Sequence, residues 1–214
     1  MLKIESFSFN LFEEKTYIVY DTESHQCAII DPGMENPDEA MILDNFIIKE
    51  QLRVKYLILS HLHIDHVWGV PYVKEKYGVK VTAHNDGGYL GAIMDAQAQM
   101  FGLSKSPGKI EVENAVEDGD RLFLGEEELV VYHVPGHSPG GIVLYAPKSK
   151  FLIAGDVIFK NSIGRTDLPG GNYKQLVEGI KKKILSLPYD TVVYPGHGPT
   201  TTVGDEATYN PFIV

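Results

Sequence analysis

The sequence predicts a single domain of α/β (α+β) class, residues 1–214, with two β-sheets packed on each other and helices outside. Three observations lead there. Strand-like runs rich in Ile, Val, Tyr and Phe give way to helical patterns, and the same order then repeats. No low-complexity tract and no long linker divides the two similar halves. The side chains with ligating chemistry follow directly on strand-like runs, in loops that a rigid scaffold would hold in place.

Residues 3–9, 16–21 and 27–31 form short strands broken by polar turns at Glu13-Glu14 and Glu23-Ser24-His25, and Asp31-Pro32-Gly33 stops the third. Asn36 caps a first helix reaching about residue 51, with Pro37 at its first position, Glu39 three after the cap, and Ala40, Leu43, Phe46 and Ile47 on its apolar face. Residues 54–60 form a buried strand. One helix over 67–77 follows, with Pro71 in its first turns and Gly78 ending it, and then a strand over 79–83. Residues 85–110 are the least regular, with a helix over 92–101 carrying Met94, Met100 and Phe101. Strands return at 121–124, 128–134, 142–146 and 151–154, the last two joined by a turn at Pro147-Lys148-Ser149-Lys150. Asn172 caps a helix over 173–185 whose core stripe is Leu176, Ile180 and Ile184. A strand over 191–194 precedes Pro195-Gly196-His197-Gly198, and a short helix starts near Gly204.

A chain of 214 residues, 43% hydrophobic and 22% charged, is long and apolar enough to bury a core. The net charge of −10 argues against nucleic acid as a partner, because phosphate contacts need clustered Lys and Arg. Cys27 is the only cysteine, so no intrachain disulfide forms, which fits a reducing compartment. The first residues carry no secretory pattern, and no apolar run reaches the ~18 residues of a membrane span. The expected location is cytoplasmic, with no membrane partner.

The chemistry concentrates at Ser60-His61-Leu62-His63-Ile64-Asp65-His66, after the strand over 54–60. Packing has no use for three histidines and an aspartate in six residues, and such a cluster of ionisable groups repels itself unless something binds it. Imidazole and carboxylate suit zinc, iron and manganese. Side chains two apart point the same way in extended chain, so His61 and His63, with His137, form one metal's ligands. Asp65, His66 and His197 form the second set, and Asp156 has two oxygens to share between them. Each ion keeps an open position, the mark of a catalytic site. Asp31 is a candidate to orient a ligand imidazole, and His84 a candidate neighbour of the site. His25 and His133 read as structural.

In order along the chain, His61-x-His63-x-Asp65-His66, Pro135-Gly136-His137, Ala154-Gly155-Asp156 and Pro195-Gly196-His197 resemble the metallo-β-lactamase-fold hydrolases. The resemblance spans nearly the whole chain and matches all seven ligand positions. Among members it is closest to small bacterial glyoxalase II-like (hydroxyacylglutathione hydrolase-like) proteins, through residues 134–140 and Gly164-Arg165-Thr166-Asp167-Leu168-Pro169-Gly170-Gly171. It implies a four-layer αββα sandwich with the site at the edge between the sheets. Departures are visible. Typical glyoxalase II has a further helical domain that supplies part of its glutathione contact, whereas residues 198–214 are all that follow His197 here, so those contacts are expected to be absent. A tyrosine two residues after the last histidine is replaced by Pro199, and an aromatic two beyond Arg165 by Asp167. The cysteine of the lactamase site has no counterpart, and the redox diiron branch usually has Glu where His63 stands.

Two close dications lower the pKa of a shared water from ~15.7 to about 7, which supplies a nucleophile without a Ser or Cys triad. Asp65 is the residue expected to hold and orient it. The expected function is a dimetal hydrolase, with two divalent ions, zinc first and iron or manganese as alternatives, that cleaves a small acyl-thioester resembling S-lactoylglutathione. The alternatives are an ester or lactone hydrolase with the same site, and a mononuclear-iron sulfur dioxygenase of the same fold. Arg165 is the candidate clamp for a substrate carboxylate, and residues 85–110 a candidate lid.

Overall fold

The computed structural model describes residues 1–213. Its first sheet runs in the order β1 (Leu2–Phe9), β2 (Glu14–Asp21), β3 (Gln26–Ile30), β4 (Arg53–Ile58), β5 (Val81–Ala83) and β6 (Asn114–Ala115). β1 to β3 are antiparallel neighbours; β3 to β6 are parallel. The second sheet comprises β7 (Arg121–Leu124), β8 (Glu127–His133), β9 (Ile142–Ala146), β10 (Phe151–Gly155), β13 (Val192–Pro195) and β14 (Thr201–Thr202). It is antiparallel except where β10 meets β13. A separate hairpin joins β11 (Ile158–Phe159) to β12 (Ser162–Ile163).

Strand alternation explains the layers. In β3, Ala28 and Ile30 face the second sheet while Cys27 and Ile29 face helices; in β9, Ile142 and Leu144 face the first sheet while Val143 packs outward. Both faces of the central strands are therefore buried, and they read as unbroken apolar runs. Leu43 and Ile47 of α1 (Pro37–Lys49) and Val73 of α3 (Val70–Tyr77) cover the first sheet. Leu176 of α6 (Tyr173–Gly179) and Ile180 and Ile184 of the π-helical stretch Ile180–Ile184 cover the second. The result is the four-layer αββα sandwich. α7 (Val203–Tyr209) closes the described chain. Among the described residues, no helix is long and apolar enough to cross a membrane.

Both asparagine caps form: the Asn36 side chain accepts from the backbone N–H groups of Asp38 and Glu39, and that of Asn172 from Gln175. Several expectations need correction. The single helix over 67–77 is α2 (Ile64–Val67) followed by α3. The chain breaks at Gly69, whose N–H donates to the Pro32 carbonyl, and a Cβ there would meet Met34 Sδ at 2.3 Å. The strand over 54–60 stops at Ile58, because the Ser60 N–H turns to Asp31. The helix over 92–101 is two short ones, α4 (Gly88–Ala92) and α5 (Met94–Met100), after a 3-10 turn, Asn85–Gly87. The helix over 173–185 changes to π-helix at Ile180. Glu14 does not sit in a polar turn; it begins β2 and is fully buried.

Candidate metal centre

The site sits where β3, β4, β10 and β13 end together at one edge between the sheets. Two hydrogen bonds between the halves fix that edge: the Ile142 N–H donates to Ser60 O at 2.8 Å, and the Lys15 N–H to Gly196 O at 2.8 Å. His61 and His63 come from the extended segment after β4, and Asp65 and His66 from the single turn of α2. Gln97 of α5 supports that turn from below. Its Oε1 accepts from the Ile64 N–H, which starts the turn, and its Nε2 donates to Leu62 O and Leu90 O. His137 follows β8, Asp156 follows β10, and His197 follows β13.

All seven side chains converge. His61, His63 and His137 each offer an atom to one group, and Asp65, His66 and His197 to a second, with the atoms of each group within 4.8 Å of one another. His63 Nδ1 and His137 Nε2 are 2.9 Å apart, Asp65 Oδ2 lies 3.5 Å from His66 Nε2, and His197 Nε2 lies 3.2 Å from Asp65 Oδ2. Asp156 lies between the groups, with Oδ1 3.5 Å from His66 Nε2 and Oδ2 3.6 Å from His137 Nε2 and 3.7 Å from His197 Nε2. Nitrogens bound tetrahedrally to zinc at about 2.0–2.1 Å stand about 3.4 Å from one another, and the inward atoms here are 2.9 to 3.7 Å apart.

The outward ring nitrogens of His61, His66, His137 and His197 are tied down, and this fixes which nitrogen faces inward. His137 Nδ1 donates to Arg165 O at 2.8 Å, and His197 Nδ1 to Phe12 O at 3.0 Å. Ser60 Oγ donates to Asp31 Oδ2 at 2.5 Å and so accepts from His61 Nδ1 at 3.1 Å. His66 Nδ1 reaches the same Asp31 Oδ2 at 3.2 Å. Asp31 thereby orients one imidazole in each group. What remains is His61 Nε2, His66 Nε2 and Asp156 Oδ1, all buried and all without a hydrogen-bond partner. Buried polar atoms rarely stay unpaired, and three that converge with lone pairs forward suit cations.

The electrostatics agree. Burial, reinforced by neighbouring imidazoles, pushes His61 well below its ordinary pKa and His63 down to about 3. Burial is the strongest single influence and would raise Asp65 and Asp156, but His66 and the neighbouring imidazoles together outweigh it, and both stay below the carboxylate range. Burial likewise opposes charge on His66, yet Asp65 and Asp156 hold it well above its usual value. Neutral imidazoles and ionised carboxylates are the ligand-ready forms, and the pull on His66 shows a field that favours positive charge. Glu14 was not read as part of this region. Its Oε1 lies 3.8 Å from His66 Nδ1, and burial pushes its carboxyl well above the usual range.

Glycine is required at two places. Gly196 lies against the ligands, where a Cβ would stand 2.2 Å from Asp156 Oδ1. Gly155 has φ +48°, and a Cβ there would meet Ser60 Oγ at 2.3 Å.

The chain belongs to the metallo-beta-lactamase superfamily. The family model for that superfamily matches residues 13–197. A Haemophilus influenzae protein named hydroxyacylglutathione hydrolase GloC is 35% identical over 213 residues, 99% of this chain and 98% of its own length. The crystal structure of BLEG-1, a B3 metallo-beta-lactamase, superposes with a TM-score of 0.89 at 31% identity, covering 99% of this chain and 100% of that one. That of TTHA1623 in a di-iron-bound form gives 0.86 at 36% identity, covering 97% and 99%. The superfamily consists in general of metal-dependent hydrolases with a dimetal site, and the two groups here are where such a pair would sit.

A cavity of about 270 Å³ opens onto His63, Asp65, His137, Asp156 and His197, with Phe12, Phe101, Leu168 and Arg165 as walls. Arg165 Nε and a terminal guanidinium nitrogen meet both oxygens of Asp167 at 2.8 and 2.7 Å. His84 lies outside the centre, stacked on His133 with ring centroids 3.7 Å apart. Residues 85–110 form a wall rather than a detached flap, since Phe101 lines the cavity and Gln97 is fastened beneath the histidine loop.

Proposed function

We propose that this chain is a dimetal hydrolase that cleaves small acyl-thioesters. One observation carries the reading. Among the described residues, every titratable side chain lining the cavity is a ligand candidate except Arg165, and Arg165 is paired with Asp167. No free acid remains to protonate a leaving group. An amine or alkoxide needs such an acid, whereas a thiolate, with a conjugate pKa of ~8.5, does not. The name of the Haemophilus relative, a hydroxyacylglutathione hydrolase, supports a thioester as the bond cleaved.

In the proposed arrangement His61, His63 and His137 would hold one ion and Asp65, His66 and His197 the other, with Asp156 placed between the two groups. The all N and O ligand set suits zinc first, with iron or manganese as alternatives. When bound, such a pair supplies a water acidic enough to attack at neutral pH and a Lewis acid for the carbonyl. Asp65 accepts a hydrogen bond from that water and aims it. The water would give up one proton to solvent, its oxygen would bond to the carbonyl carbon, the carbon–sulfur bond would break, and a thiolate and a carboxylic acid would leave. Arg165 is assigned to the substrate's polar end, because its exposed pairing with Asp167 is weak in water and readily exchanged. The single cysteine supports the cytoplasm as its place of work.

The test is a panel of thioesters, esters and lactones, run on protein of measured metal content beside Asp65→Ala. Turnover of thioesters with two ions bound, lost by at least a hundredfold in Asp65→Ala, is expected. Thioester turnover no faster than in that variant overturns the reading, and one iron with oxygen consumption replaces it by the oxygenase.

A further inference from the structure

We infer that the acyl half of the substrate carries an apolar chain a few carbons long, seated in an apolar slot, open to solvent on one side, beside His63. The inference rests on the hydrolase reading and names the substrate class for that site. The slot is a cavity of about 40 Å³ that shares His63, Phe101 and Leu168 with the main cavity, so the two adjoin. Leu90, Ile93, Ala96 and Met100 line its far side, the last three of them exposed. Gln97 is also in its wall, but both ends of its amide are committed to the backbone of Leu62, Ile64 and Leu90. A polar group in this slot would therefore find no partner among its lining side chains, and apolar groups suit it better.

The two sides of the centre differ, and this decides which half of the substrate goes where. On the His197 side a wider and more open cavity of about 460 Å³ is bordered by Lys160, Asn161 and Ser162 together with Phe159, Gly198 and Pro199. Lys160 and Asn161 are exposed. A long, polar thiol carrier fits there and does not fit the slot. The slot has room for about three water-sized groups, which is a short alkyl chain. Acetyl and lactoyl groups are too short to fill it.

The experiment uses the metal-loaded full chain and N-acetylcysteamine thioesters from acetyl to octanoyl, with S-lactoylglutathione alongside. Each buried methylene should raise kcat/KM about fourfold for about three methylenes, after which the series flattens or falls. Ala96 is exposed on α5 and faces the slot, so Ala96→Phe should fill it and abolish the preference for longer chains. A binding readout runs in parallel: pentanoate should shift the ¹³C-methyl resonance of Met100 saturably in the wild type but not in Ala96→Phe, and acetate should not shift it. A flat chain-length series, or the same shift with acetate and pentanoate, overturns the slot while leaving the hydrolase reading standing. Absence of turnover with every thioester at two ions per chain overturns the hydrolase reading instead, and the Met100 signal then decides the slot by itself.

Discussion

Replacing Asp31 by Asn tests how the protein sets the tautomers of two ligands at once. Asp31 has φ +50°, a left-handed conformation that Asn tolerates well, so the backbone is spared and the charge alone is removed. The carboxylate accepts from the Ser60 N–H at 2.6 Å on Oδ1, and from Ser60 Oγ and His66 Nδ1 at 2.5 and 3.2 Å on Oδ2. An amide has one acceptor oxygen. Its NH₂ must face either the Ser60 N–H or the Ser60 hydroxyl and His66 Nδ1. In the second case His66 loses the bond that keeps its Nε2 lone pair forward, and Ser60 no longer fixes His61 through its 3.1 Å bond. Losing such an outer partner weakens metal binding by about 10–100-fold, or roughly 1.4–2.7 kcal/mol per ion. Both ions should weaken in Asp31→Asn, whereas Ser60→Ala should weaken the His61 ion alone. Competition with a chromogenic chelator measures both affinities, and circular dichroism checks that the fold is kept. Wild-type affinity for both ions in folded Asp31→Asn would refute this account of ligand orientation.

Three further outcomes are expected. Gln97→Leu leaves the Leu62 and Leu90 carbonyls and the Ile64 N–H without their partner, at about 1–3 kcal/mol for each group truly stranded; a total near 3 kcal/mol lowers Tm by about 6–12 °C in calorimetry. Asp44 is largely buried, and although burial opposes its charge, Lys76 and the Tyr72 and Tyr77 hydroxyls hold its carboxyl below the usual range. The stability it adds is present above the unfolded carboxylate pKa of ~3.9 and is lost as pH falls through the lower folded value. Asp44→Asn should therefore cost about 2 kcal/mol near pH 6 and progressively less as pH falls below ~3.9 through the lower folded value, as read from urea unfolding. Arg165→Ala should raise KM for thioesters that carry a carboxylate and leave neutral ones unchanged; equal KM values would remove Arg165 from the binding site.

The ligand loop was legible because its chemistry is dense. Three imidazoles and a carboxylate between Ser60 and Val67 have no packing explanation, and the structure brings all of them to one place with His137, Asp156 and His197. The caps Asn36 and Asn172 were legible because capping is local. What escaped depends on distant contacts. Glu14 looked like a turn residue, but Gly33 and Thr16 pack over it; a Cβ on Gly33 would stand 2.0 Å from Glu14 Oε2. The break between α2 and α3 needs Pro32 and Met34 beside Gly69, which no local pattern reveals. Strands of two residues, such as β6 and β14, carry too few side chains to show a period. The wall made by Phe12, Phe101 and Leu168 joins three remote segments, and single apolar residues give no signal of that kind.

The central claim is that two ions held by these seven side chains hydrolyse thioesters. The direct measurement is a titration of metal-free protein with zinc while thioester hydrolysis is followed. Activity should rise to a plateau at two equivalents per chain, and Asp65→Ala should stay at background across the titration. A plateau at one equivalent, or no turnover at two, would contradict the account.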